Sequence, residues 1–371
     1  MDGTRKKYEK GKNMKDLKKR PSKTLMVCMF SLSMFFSTSS AVDAVLTDTQ
    51  IHAVLGVVTN FILDDEQKTY KPPKKTGQTQ SYNAVGLLVA DGSVKDDGFY
   101  QKGIASNYSR DAGNEIVTDH LTGLQWQDDV AVSTVKKRWI TFANNTAPYS
   151  NTSGDTATTY CANLPLGGYS DWRLPTRKEL LGISLQGQTS PTIDSVFQNV
   201  IQNTYWSSTS SVGYNFRAWH VDFSFGKQAE TPKTNPTYVR CVRAGDTSAP
   251  ADFTKNANIV TDNITGLQWQ DDALVTATWL SAIQSCENLS LDGFNDWRLP
   301  NIKELSTLVD DNRSLPAIDT TFQNTSSNNY WSSTTSLGDT SRARLVSFDS
   351  GFHTPSIKST SFNVRCVRAG H

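Results

Sequence analysis

The line IVTDHLTGLQWQDD at residues 116–129 returns as IVTDNITGLQWQDD at 259–272. Beyond it the likeness continues at a fixed offset of 125 residues. YSDWRLPTRKEL (169–180) matches FNDWRLPNIKEL (294–305), IDSVFQN (193–199) matches IDTTFQN (318–324), YWSSTS (205–210) matches YWSSTT (330–335), and VRCVRAG stands at both 239–245 and 364–370. The opening line is offset by 143, so the first copy carries 18 extra residues between Trp126 and Cys161, and the polar tract NNTAPYSNTSGDTATT is the obvious insertion. A whole folding unit is duplicated, and the residues the copies share are expected to be mostly scaffold.

The cysteines follow the repeat. Cys161 and Cys241 are 80 residues apart, as are Cys286 and Cys366. Two bonds within the copies, Cys161–Cys241 and Cys286–Cys366, are the simplest pairing, each tying an early segment to the last strand. Metal ligation or redox catalysis lacks its spacing: there is no C-x-x-C, and no His recurs between the copies.

Residues 1–44 read as a secretory signal, a basic stretch followed by the apolar run TLMVCMFSLSMFFSTSSA and then small residues at Ala41 and Ala44. Met14 is a candidate start, and a retained membrane anchor is the alternative. Cleavage would remove Cys28 and leave an even number of cysteines in an exported chain. It would also remove ten basic and four acidic residues from totals of 37 and 36, leaving 27 and 32, a net charge of −5. That balance argues against nucleic acid as a partner. Residues 45–75 read as a helix and a linker. TDTQIHAVLGVVTNFIL (47–63) puts Ile51, Val54, Leu55, Val58, Phe61 and Ile62 on one face, to pack on the first domain or to make oligomers, and KPPKK (71–75) looks like the linker. Residues 76–245 form domain one and 246–371 domain two.

Within a copy, GLQWQ alternates as a strand, and Trp279, Ile283, Cys286 and Leu289 have helical spacing. DWRLP is a short strand. Thr176 or Asn301 then caps a helix, with Glu179 or Glu304 completing a capping box; a catalytic carboxylate is the lesser reading of those glutamates. YWSST, AWHVDFS and YVRCVR are strands of a small antiparallel sheet. The paired Trp126/Trp269, Trp172/Trp297 and Trp206/Trp331 belong in the core. The expected fold class is α+β: two tandem domains, each a small antiparallel sheet with two short helices and long loops.

Together TDNITGLQWQ, DWRLP with its capped KEL helix, YWSST and the terminal VRCVR resemble the family named for the C-terminal domain of the Legionella collagen-like protein, a domain of unknown function. The resemblance covers roughly residues 74–371. It implies a C-type-lectin-like fold, distantly similar to formylglycine-generating enzymes, and a surface adhesin that binds sulfated polysaccharides. The chain departs from that pattern in having no collagen-like Gly-x-y region and a negative mature charge.

No nucleophile–base pair recurs between the copies, and formylglycine-type chemistry needs thiols that the disulfides would consume. No enzyme, no cofactor and no metal is expected. The recurring Asp128–Asp129 and Asp271–Asp272 read as polar strand ends, with calcium the lesser reading. The informative residues are those the copies do not share. Val221/Val346 and Phe223/Phe348 point to the core, whereas Trp219 faces Arg344 in the other copy, and a position that takes both is expected near the surface. Tyr214, Phe216, Arg217, Trp219 and His220 would then form one ligand patch, and Arg342, Arg344, Phe352 and His353 another. The expected protein is an exported, non-catalytic, adhesin-like binder of an extracellular glycan or surface protein. A structural envelope or matrix component is the alternative, and a formylglycine-type enzyme a more distant one.

Overall fold

The structure, a computed structural model, describes residues 70–245 and 251–370. The signal segment and the amphipathic 47–63 stretch lie outside the described residues.

Each repeat contributes a four-stranded antiparallel sheet. In the first, Tyr108–Asp111, Ile116–Asp119 and Leu124–Gln127 run in sequence order, and Val242–Ala244 closes the edge. The second repeats this with Phe253–Asn256, Ile259–Asp262, Leu267–Gln270 and Val367–Ala369. The shared GLQWQ segment is therefore a strand, and its partner is the end of the same repeat. Trp126 and Trp269, on these strands, have no exposed surface. Trp172, Trp206, Trp297 and Trp331 are buried as well.

Both disulfides form as the repeat predicts, Cys161–Cys241 and Cys286–Cys366, each within its own copy. Both KEL helices, Arg177–Gly182 and Ile302–Thr307, begin with the expected capping box. The two glutamates have a further partner: Glu179 takes two hydrogen bonds from Arg173, and Glu304 two from Arg298. The fork pins the DWRLP segment to the helix behind it. DWRLP itself is not a full strand but one bridge in each copy, Arg173 to Val242 and Arg298 to Val367.

The remaining strands of both repeats make one ten-stranded sheet. Its centre is the pairing of Phe352–Ile357 with Lys227–Pro232, in register through His353 and Gln228. These two residues are 125 apart, so they are equivalents, and each repeat presents the same edge to the other. This is the geometry of a two-fold interface built inside one chain. It covers an edge strand that either repeat alone would leave open.

Residues 76–103 do not follow the division read from sequence order, which placed them in domain one. The N–H groups of Gln186 and Gly187 donate to the Thr76 carbonyl, which touches the first repeat. From Gln78 onward the partners lie in the second: Thr335 N–H donates to Gln78 Oε1, Lys358 Nζ to Asn83 O, Thr340 Oγ1 to Gly86 O, and Tyr100 OH to Glu287. Order along the chain says where a segment is written, not which surface it covers. The helical turn Asp97–Tyr100 buries Asp97 against the second repeat, where Thr76 and Thr334 hydroxyls donate to one carboxylate oxygen and the other has no partner.

Burial pushes the Asp97 carboxyl up from 3.8 to about 7. Between those values the folded chain keeps a proton that the unfolded chain gives up, so the contribution to stability is full at low pH and is lost as pH rises through about 7. Lys303 nearby, pushed down from 10.5 to about 7 by the same burial, acts in the other direction above pH 7. Asp97→Asn is expected to remove the fall in melting temperature between pH 4 and 7; an unchanged pH profile of thermal unfolding in the variant would contradict this.

Candidate functional site

The structure separates the sequence-predicted ligand residues into a buried set and an exposed set. Trp219, Arg344 and His353 are 2 %, 4 % and 3 % exposed, which corrects the expectation that the Trp219/Arg344 position lies near the surface. They are the inner side of the junction between repeats. The Arg177 guanidinium lies 3.9 Å from the centre of the Trp219 ring and pairs with Asp311 of the second repeat. Trp219 packs against the half-buried Phe352, with the ring centres 4.7 Å apart and the planes tilted by 59°. Arg344 donates to the carbonyls of Phe225 and Gly226, and Gln228 donates to the carbonyl of Gly351.

The difference between the copies at this position has a packing cause. Across the junction, Arg177 of the first copy corresponds to Ile302 of the second, and Trp219 corresponds to Arg344. Each side thus holds one guanidinium, placed on the helix in one copy and on the strand in the other. Two identical halves would press two Trp or two Arg side chains to equivalent places beside the axis, and the swap avoids this. His353 has its pKa pushed well down by burial and by Arg177 and Arg344, and burial lowers that of His220 to about 4. Both rings are neutral near pH 7. His220 sits edge-on to Trp206, and Arg342 pairs with Asp339 on the surface.

Tyr214 and Phe216 stay together in the open, with half-buried Arg217 beside them. Tyr214 is 56 % and Phe216 43 % exposed, their rings meet edge to face at 6.1 Å, and Arg217 lies within 5.9 Å of both ring centres. The loop is fixed from below. Lys233 Nζ donates to Asn215 O, Lys233 N–H to Phe216 O and Arg217 N–H to Tyr214 O. Lys233 itself is buried over the Trp139 ring at 4.3 Å and the Tyr149 ring at 5.1 Å, and its pKa is lowered to about 8 by burial. The equivalent loop of the second repeat carries Asp339 and Ser341 where the first has Tyr214 and Phe216, and Gly86 covers it through Thr340. Only the first repeat presents an aromatic tip.

A second opening belongs to the first repeat. Beside the Arg173–Glu179 fork lies a cleft of about 480 Å³ lined by Leu174, Thr176, Ser208 and, from the insertion side, Asn151 and Thr158. Sequence reasoning missed it. Its signal was the lead-in, written once for two repeats, which leaves one repeat without that cover.

Asp128 and Asp271 are not open to calcium. Asp128 accepts from Arg110, Arg240 and the N–H groups of Gln198 and Asn199. Asp271 accepts from Lys255, Arg365 and the N–H groups of Gln323 and Asn324. Among the described residues no group of three or more His, Cys, Asp or Glu is placed to hold a metal ion.

Comparison with protein families finds a match to the Lcl C-terminal domain, in two copies, over residues 115–243 and 258–368. Among curated proteins no relative matches the chain.

Proposed function

Since the chain belongs to the Lcl C-terminal domain family, we propose that it is an exported, non-catalytic binding protein of adhesin type. It would recognise an extracellular glycan or surface protein through the Tyr214–Phe216–Arg217 tip of its first repeat. The observation that carries this reading is the tip itself: two exposed rings and a guanidinium, held by hydrogen bonds from buried Lys233, on a loop that in the second repeat carries no aromatic residue. Aromatic and Arg side chains presented rigidly are the usual anchors of recognition, because little rotamer entropy is lost on binding. Two disulfides, which occupy all four cysteines of the described residues, support an oxidising location such as the periplasm or cell surface, and leave those residues without a thiol for formylglycine-type chemistry. The C-type-lectin-like relationship rests on the family, and the second repeat serves this reading as scaffold.

The test is a glycan array and a panel of surface extracts, probed with the disulfide-bonded chain and with Tyr214→Ala, Phe216→Ala and Arg217→Ala. Each variant is expected to weaken binding at least tenfold, and Tyr214→Ala and Phe216→Ala should shift the melting point little, because exposed positions usually change stability by about 0.5 kcal/mol or less. Binding that survives all three would remove the tip from the mechanism. One observation favours the structural alternative: Val85, Leu87 and Leu88 expose 70 %, 63 % and 60 % of their surface at the lead-in turn. Concentration-dependent self-association abolished by Leu87→Ser would support that role.

A further inference from the structure

The two repeats differ most where the lead-in lies. In the second repeat the strand segment Ser333, Thr334 and Thr335 is buried; in the first the equivalents Ser208, Thr209 and Ser210 are part-exposed. The Arg298 side chain is 8 % exposed and that of Arg173 is 33 %. The cover on the second repeat is the turn Asp96–Lys102. Thr334 Oγ1 donates to Asp97, Asn301 Nδ2 donates to Lys102 O, and the Arg298 guanidinium lies 5.8 Å from the Tyr100 ring centre.

The insertion of the first repeat replaces only part of this cover. Tyr149 takes the place beside Lys233 that Tyr82 takes beside Lys358. Nothing among the described residues replaces the Asp96–Lys102 turn, and the cleft beside Arg173 stands open there.

We propose that the cleft lined by Arg173, Thr176 and Ser208, with part-exposed Thr209 next to it in the strand, binds a short Asp-Gly-aromatic turn from another protein, in the manner in which the second repeat binds residues 96–102 of its own chain. The first repeat retains the groups that do this. Thr209 Oγ1 accepts from Arg177 N–H, as Thr334 Oγ1 does from Ile302 N–H, which leaves the hydroxyl proton for an incoming carboxylate. Arg173 is held flat by Glu179 as Arg298 is by Glu304. Two groups differ: Glu287, which accepts from Tyr100 OH, is replaced by Ala162, and Asn301, which donates to Lys102 O, is replaced by Thr176. The cleft therefore requires the carboxylate of the turn and is indifferent to a phenol hydroxyl.

The experiment is a titration of the full, disulfide-bonded chain with a fluorescently labelled peptide of sequence DDGFYQKG, residues 96–103, read by anisotropy and by amide shifts. Saturable binding is expected, with a Kd on the order of 0.1–1 mM for so small a contact. Amide shifts should centre on Arg173, Thr209 and Ser210. Ser208→Phe, which fills the cleft, should weaken binding at least tenfold. Changing the second Asp of the peptide to Ala should do the same, and changing its Tyr to Phe should leave affinity within about twofold. No saturation at several millimolar peptide would overturn the proposal, and so would binding unaffected by Ser208→Phe. If that variant does not fold, the amide shifts of the unaltered chain decide: shifts away from the cleft overturn it.

Discussion

Asp128→Ala is expected to destabilise the chain by about 3–5 kcal/mol, among the largest effects of any single substitution. Asp128 and Arg240 are both fully buried. The carboxylate takes hydrogen bonds from Arg240, from Arg110 and from the N–H groups of Gln198 and Asn199, so one side chain joins the opening strand, the IDSVFQN turn and the closing strand. Removing it leaves a guanidinium in the core with no opposite charge and two backbone donors without acceptors. Replacing both partners with apolar residues, Asp128→Leu with Arg240→Met, should cost less than the single change, because no charge is then stranded. Equilibrium unfolding in urea measures both. A loss below about 1 kcal/mol for Asp128→Ala would mean that water reaches Arg240 and that the pair is not dry. Asp271 holds the same place in the second repeat. Burial raises its pKa, but Lys255, the Gln323 N–H and Arg365 outweigh that and hold it below the usual value, so its contribution is present near neutral pH and is lost as acid protonates it. Because the central sheet is shared, damage at either aspartate should unfold both repeats in one transition. Two separate transitions would show that the pairing at His353 and Gln228 does not couple them.

Loss of either disulfide should be nearly as severe. Each closes a loop of 80 residues, for which loop-closure entropy alone corresponds to about 4.5 kcal/mol. Cys161→Ser with Cys241→Ser, compared with Cys286→Ser with Cys366→Ser, should each lower the melting temperature by roughly 5–10 °C in thermal scans under matched conditions. The two losses should be similar, because the loops are equal in length and all four cysteines are buried. A loss confined to one repeat would mean that the other bond is supported by native packing alone.

Much of this architecture was legible before any coordinates. The pairing of the cysteines, the capping boxes at Thr176 and Asn301, and the burial of Trp126, Trp206, Trp269 and Trp331 follow from covalent spacing, local hydrogen bonding and periodicity, each confined to a few residues or repeated twice. The misplaced ligand residues have a different origin. Trp219 and Arg344 differ between the copies, and a difference between copies on its own points to an exposed site. A pseudo-symmetric junction gives a second reason to differ, since equivalent residues beside the axis meet unlike surroundings.

The sequence by itself determined that one unit folds twice, which residues form its core and how its cysteines join, because those are contacts within a unit that the repeat displays in duplicate. The tertiary structure alone decided which edge of each unit is buried against the other and which unit the lead-in covers. Those outcomes depend on a single pairing of distant surfaces, His353 on Gln228 and Asp97 beneath Thr334, and no local pattern of residues encodes which of two like surfaces a segment will reach.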